Sequence, residues 1–359
     1  MKGVHMWADA SIAELYEWFG DETAPTSPVW GAVCRWVAHE PELAALLDPL
    51  PGTKRQPNLF LGALRYLDAP LEPGPGLLDF VRQRWPEIER IILTRATQTN
   101  EPARCAGLVP ALGLIEQQTR QPLALIEVGC SAGLCLFPDH YGYRWEQSTG
   151  VVEVRPTEQA PVFRCEVTGP APLPTELPRI GWRVGIDLNP LDPADESDAR
   201  WLRALVWPGQ EDRERRLAAC LELTAGLPAQ RVRGNALAVL EEVVDAVPDG
   251  MTPVLLHSAA LAYFQREDRA RFVELVQGMR SRGVRWLSSE GEKVLRPIRD
   301  RLAEHDAWQG DPSFVIALDA HPLARVAPHG QWLAWLSSGN QTVAASDPIE
   351  VSLPDFAPS

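Results

Sequence analysis

The chain has 359 residues, 45% of them hydrophobic and 23% charged, the balance of a soluble globular protein of one large or two ordinary domains. Its formal net charge of −14 argues against a nucleic-acid partner, because phosphate binding needs clustered positive surface. No apolar run is long enough for a bilayer, the acidic N-terminus lacks signal-peptide order, and the cysteines at 34, 105, 130, 135, 165 and 220 form neither a CxxC pair nor a disulfide framework, so a reduced cytoplasmic setting without metal or membrane is expected.

Up to about residue 118 the pattern is helical. Pro28 to Leu47 carries Val29, Val33, Trp36, Val37, Leu43, Leu46 and Leu47 near helical spacing. Leu59 to Leu67, Leu77 to Trp85 and Ala103 to Glu116 continue it, punctuated by prolines at 49, 51, 70, 73 and 75. Then comes Arg95-Ala96-Thr97-Gln98-Thr99-Asn100-Glu101, dense in hydrogen-bonding groups. Thr99 or Asn100 suits the N-cap of a helix from Glu101 to Glu116. Alternatively the segment is lowered over a ligand mouth, with Gln98, Asn100, Glu101 and Arg104 as substrate-binding side chains beside His257 and Tyr263.

Leu123-Ala124-Leu125-Ile126 opens a strand at 123–128 buried on both faces. Glu127, the small-residue turn Gly129-Cys130-Ser131-Ala132-Gly133 and a short apolar stretch suited to a helix follow. Such a turn lets backbone N–H groups meet a nucleotide-like ligand, and a Cβ at its glycines would obstruct it. Val151–Val154 and Val162–Val167 predict an inserted hairpin or small sheet within 143–179. The next strand, at 182–187, ends in Asp187, where a doubly wound sheet holds a ribose through its hydroxyls, with Asn189 close behind. Trp201 and Trp207 read as packing anchors, and Arg213, Arg215 and Arg216 as the solvated face of a helix near 211–224.

Beyond it the chain alternates: strand 231–233 with Gly234-Asn235 at its end, helix 236–246, strand 253–258, helix 266–281 and strand 284–289. Alternation of this kind implies a parallel sheet with covering helices. Ser313–Leu318 and Gly330–Leu336 predict an antiparallel edge pair. His257, Tyr263 and Glu290 fall at the strand ends where such sheets bind ligands, which makes them candidate acid–base groups. A buried, hydrogen-bonded histidine is the plainer reading of His257.

The acid-ended strand pair resembles the first two motifs of S-adenosylmethionine-dependent methyltransferases of the Rossmann-like class. Together with Arg95–Glu101, EVGCSAGL from Glu127, GIDLNPLD from Gly185 and Trp201–Pro208, the chain resembles over nearly its whole length a mainly actinobacterial family of unknown function with a methyltransferase-like core. The resemblance implies an α-helical domain at 1–118, then a Rossmann-like methyltransferase-type α/β domain at 119–359 with an antiparallel edge. It implies S-adenosylmethionine as cofactor and a small or medium-sized acceptor. Glu127, Gly129, Ser131 and Gly133 would then cradle the methionine end, Asp187 and Asn189 the ribose, and Asn235 the adenine. Cys135 and Pro138 stand where Asn and an aliphatic residue are expected.

Two readings compete. One keeps the fold as a ligand-binding or partner-binding protein without methyl transfer. The other takes Gly129–Gly133 as the G-x-S-x-G elbow of an α/β-hydrolase, with Asp319 and His321 or His329 completing a triad. A helical first third, where that fold needs strands, counts against the hydrolase.

Overall fold

Ser11 opens helix α1 (Ile12–Thr23) with a capping box: its hydroxyl accepts from the Glu14 N–H, and the Glu14 carboxylate accepts from the Ser11 N–H. Proline starts α2 (Pro28–His39), α3 (Pro41–Leu47), α4 (Pro57–Tyr66) and α5 (Pro75–Thr94), where its missing N–H leaves no bond unmade. These elements come from a computed structural model that describes residues 10–98, 100–305, 310 and 313–336. Among the described residues no helix is long and apolar enough to cross a membrane.

Helix α6 (Cys105–Thr119) is entered through a tight turn at Pro102–Arg104 and is buried on nearly every side from Cys105 to Gly113. It packs on the sheet, so the helical pattern before residue 118 does not end in a separate body. One core runs without a break from Leu15, Trp30 and Phe60 through Leu108 and Trp201 to Leu125, Leu256 and Leu287 of the strands. The Trp201 indole donates to Ala96 O (3.0 Å) and that of Trp207 to Asn58 Oδ1 (3.2 Å), which makes both tryptophans packing anchors.

The fold is α/β with a mixed, mostly parallel central sheet. Its strands are β1 (Leu123–Val128), β2 (Gly142–Gln147), β3 (Gly150–Val154), β4 (Val162–Thr168), β5 (Ile180–Asp187), β6 (Gln230–Arg233), β7 (Thr252–Ser258), β8 (Arg285–Gly291), β9 (Phe314–Leu318), β10 (His321–Val326) and β11 (Trp332–Trp335). They lie in the order β3-β2-β4-β11-β10-β9-β8-β7-β1-β5-β6. The stretch β8-β7-β1-β5-β6 is parallel throughout, and chain order reverses between β7 and β5, at β1. Helices α7 (Glu196–Ala204) and α8 (Glu211–Ala225) extend the helical layer on the α6 face. Helices α9 (Ala236–Asp245), α10 (Arg266–Gly278) and α11 (Arg296–His305) cover the other face.

Three expectations are corrected. The turn after β1 leads into two single 3₁₀ turns, Leu134–Leu136 and Pro138–His140, and not into an α-helix; Pro138 has no N–H to continue one. The β-rich run at 143–179 is not a separate small sheet, because β4 pairs with β11 and thereby joins the main one. The tail supplies three strands where two were predicted, and they lie in the interior, the edges being β3 and β6. Pro322 hid β10: it sits at a register shift, where a strand tolerates a missing donor.

Register fixes which side chains share a face. Glu127 pairs with Gly185 and Leu256, and Leu256 with Leu287, so Glu127, Asp187, Ser258 and Ser289 project toward α6. Val128, His257, Ser288 and Glu290 project to the other side.

Candidate functional site

At the reversal point the chain leaves β1 through three residues of positive φ, Gly129 (76°), Ser131 (52°) and Gly133 (74°). Gly129 is required: a Cβ there would meet the Ala260 Cβ at 2.5 Å. Asp187 Oδ2 accepts from the Ser131 N–H (2.8 Å), and its Oδ1 from the Asn189 N–H (2.8 Å) and Gln98 Nε2 (3.3 Å). Gln98 also donates to Asn189 O (2.8 Å) and accepts from Asn189 Nδ2 (3.3 Å). Ser131, Asp187, Asn189 and Gln98 thus form one connected cluster.

Asn100 does not cap a helix. Its Nδ2 donates to Cys130 O (3.2 Å) and its Oδ1 accepts from the Leu134 N–H (3.0 Å), so one carboxamide spans the glycine turn. Thr99, the other predicted cap, lies outside the described residues. The cap is Glu101, whose Oε1 accepts from the Ala103 N–H (3.2 Å), while its Oε2 accepts from Arg213 Nε (2.8 Å). Arg104 is buried, donating from Nε to Pro328 O (2.9 Å) and from Nη1 to Ser258 O (3.3 Å). The polar segment is therefore folded down onto the strand ends.

Under it lie buried polar atoms without protein partners: Glu127 Oε2, Ser131 Oγ and Ser258 Oγ. Burial holds the Glu127 carboxyl well above the usual carboxylate range; nearby Cys135 adds to this, and Arg104 and Arg231 oppose it. Arg231 covers the turn from β6, donating to Ala132 O (3.1 Å).

His257 is corrected from a candidate base to a structural link. It is fully buried; Trp286 Nε1–H donates to its Nε2 (2.9 Å), so the proton sits on Nδ1, which donates to Glu290 Oε1 (2.8 Å). The same oxygen accepts from the N–H groups of Ala260 (2.9 Å) and Leu261 (3.0 Å). Neither ring nitrogen is free for a proton, and the pair faces away from Glu127 and Arg104. Tyr263 follows β7 and is 63% exposed. Asn235 caps α9, accepting from the Leu237 N–H (2.9 Å), one residue after Gly234 donates to Asp187 O (2.9 Å).

Among the described residues there is no hydrolase triad. Ser131 Oγ meets no base. Asp319 receives the Trp286 N–H (2.9 Å) near the start of β8, at the opposite end of the parallel strands from Ser131, and His321 bonds the Asp319 carbonyl (3.0 Å). Burial and neighbouring arginines push His329 down to about 3.

Two features escaped the sequence reading. A groove of about 360 Å³ runs beside Asn189 and Pro190, lined by Arg90, Arg95 and Arg233. Arg233 reaches across it to Asn189 Oδ1 (2.9 Å), and Leu188, 72% exposed, follows Asp187 directly. The second concerns α8: Arg215 is solvated, with a side chain 73% exposed, but Arg213 turns inward onto Glu101. Arg213 lies one and two turns before Leu217 and Cys220, on the buried stripe, and that spacing was the available signal.

The family described as "Uncharacterized protein conserved in bacteria (DUF2332)" matches residues 13–335, and the chain belongs to it. No curated protein matches the chain.

Proposed function

We propose that this bacterial protein binds S-adenosylmethionine at the C-terminal ends of β1 and β5 and transfers its methyl group to a small or medium-sized acceptor. The observation that carries the reading is the Ser131 N–H to Asp187 bond, which joins the turn after β1 to the acid after β5 where chain order reverses. Residues suited to each part of the cofactor are present. Asp187 Oδ2 accepts one bond and has capacity for a ribose hydroxyl. The groove beside Asn189 and the exposed Leu188 give the nucleoside polar and apolar surface. The buried Glu127 carboxyl, held above the usual carboxylate range, and the unpartnered Ser131 Oγ suit the amino-acid end.

When bound, the cofactor supplies an already activated methyl group, so the protein's task is alignment and exclusion of water. Asn100 and Gln98 now occupy the turn and Asp187, so this segment has to give way for the ligand to enter. With His257 engaged at both nitrogens, the acceptor atom is best one that is free of its proton near neutral pH.

A second reading, ligand or partner binding without methyl transfer, is favoured by two observations: no α-helix N-terminus follows the glycine turn, and the protein itself fills the Asp187 and Cys130 contacts. Incubation with methyl-labelled S-adenosylmethionine and a panel of small acids and amines distinguishes them. Label moving to an acceptor supports the first reading. Cofactor binding without any turnover supports the second.

A further inference from the structure

Arg213 and Arg216 lie one turn apart on α8, which packs against the Pro102–Arg104 turn that itself carries Arg104. Arg213 is held by Glu101 through Nε (2.8 Å) and by Gln210 through Nη1 (3.0 Å), and its side chain is only 14% exposed. The Nε of Arg216 is sealed from solvent with no acceptor. Among the described residues, the Nη2 atoms of Arg104 and Arg213 and every side-chain nitrogen of Arg216 lack a protein acceptor. His329 closes the cluster from the β10–β11 turn, where Pro328 O receives Arg104 and a Cβ on Gly330 would meet Ala103 O at 2.1 Å. Burial first, then Arg213, Arg104 and Arg216, push His329 down to about 3, so it is a neutral wall.

Charge does not balance here. Among the described residues, Arg213 alone of the three guanidinium groups is hydrogen-bonded to a carboxylate, that of Glu101, while Arg104 donates only to carbonyl oxygens. Uncompensated charge away from water is costly. Arginine's fork of donors matches carboxylate and phosphate oxygens, and a positive cluster in a chain of net charge −14 goes against the field of the whole molecule.

We propose that Arg104, Arg213 and Arg216 form a binding site for the oxyanion of a small ligand, a carboxylate or phosphate group. This deepens the methyl-transfer reading, on which the ligand's role as acceptor rests, while the site itself stands on the arginine geometry. Glu101 is a positioning residue: it holds Arg213 and caps the turn that carries Arg104. The cavity between Asn100, Glu101 and Arg213 is about 10 Å³, room for one water, and Arg216 and His329 are half-buried.

Thermal unfolding of the full chain in inorganic phosphate, in malonate and in sodium chloride at equal ionic strength tests this, since a ligand of the folded state raises Tm saturably. A rise over chloride in phosphate or malonate is expected, and the larger of the two identifies the group. Arg216→Gln removes no hydrogen bond within the protein and lowers apparent affinity at least tenfold. Arg215→Gln, on the exposed neighbour, keeps the full response. Equal Tm in all three salts, or an undiminished response in Arg216→Gln, overturns the site. No S-adenosylmethionine enters these experiments, so the oxyanion site and the cofactor site stand or fall separately.

Discussion

The carboxylate of Asp187, at the end of β5, accepts the backbone N–H of Ser131, at the end of β1, over 2.8 Å. That bond locks a left-handed serine turn to the neighbouring strand, and Asn189 N–H and Gln98 complete the set on the same carboxylate. Asp187→Ala leaves two backbone donors without an acceptor and is expected to lower unfolding free energy by about 2–4 kcal/mol. Asp187→Asn, which keeps one acceptor oxygen, should lose less. Urea unfolding of both variants checks the order.

Asn100 ties the polar segment to the glycine turn with one donor and one acceptor. Asn100→Ala should cost about 1–3 kcal/mol and speed hydrogen exchange at the Leu134 amide, which loses its acceptor. Asn100→Asp keeps that acceptor but loses the bond to Cys130 O. Unchanged exchange at Leu134 in the alanine variant would mean that the segment is not what holds the turn.

His257 joins β7 to β8 through Trp286 and Glu290. Trp286→Phe, which removes only the indole donor, should destabilise by about 1–3 kcal/mol. His257→Ala should be worse, because Glu290 loses its imidazole partner in a buried setting. Neither change should alter cofactor affinity in the folded fraction, measured by calorimetry corrected for unfolded protein. A selective loss of cofactor binding in Trp286→Phe would return this face of the sheet to the site.

Glu127 gives stability a pH signature. Its carboxyl is raised in the fold by burial, so above about 4.3 the unfolded chain releases a proton that the folded chain keeps. The stabilising contribution is complete below that value and is lost as pH rises through the folded-state pKa. Glu127→Gln, neutral at every pH, should match the native chain near pH 4 and equal or exceed it at pH 8. If the variant is weaker by the same amount at both pH values, the carboxyl is not protonated in the fold.

Much of the sheet was legible because parallel strands buried on both faces read as apolar runs: Leu123–Val128 and the run at 253–256 stand out with no help from context. The strands β2 and β10 did not. Gly142–Gln147 mixes charged and aromatic residues, and Pro322 interrupts β10 at a bulge. At the site, Asp187, Asn189 and the glycine turn were named from residue type at strand ends, which topology fixes, and Gln98 from the density of polar side chains ahead of the first strand. What residue type could not give was the direction of a side chain. Strand alternation sends His257 and Glu290 to one face and Glu127 to the other, and tertiary packing turns Arg213 inward. A count of polar groups near the 98–104 segment likewise said nothing about Asn100 spanning a turn some 30 positions along the chain.

Calorimetric titration of the full chain with S-adenosylmethionine, beside the Asp187→Ala variant, probes the central claim most directly. A shared site at β1 and β5 requires saturable one-to-one binding by the native chain and an affinity at least tenfold weaker in the folded fraction of Asp187→Ala, about 1.4 kcal/mol or more. Absence of binding by the native chain, or equal affinity in the two proteins, would contradict it.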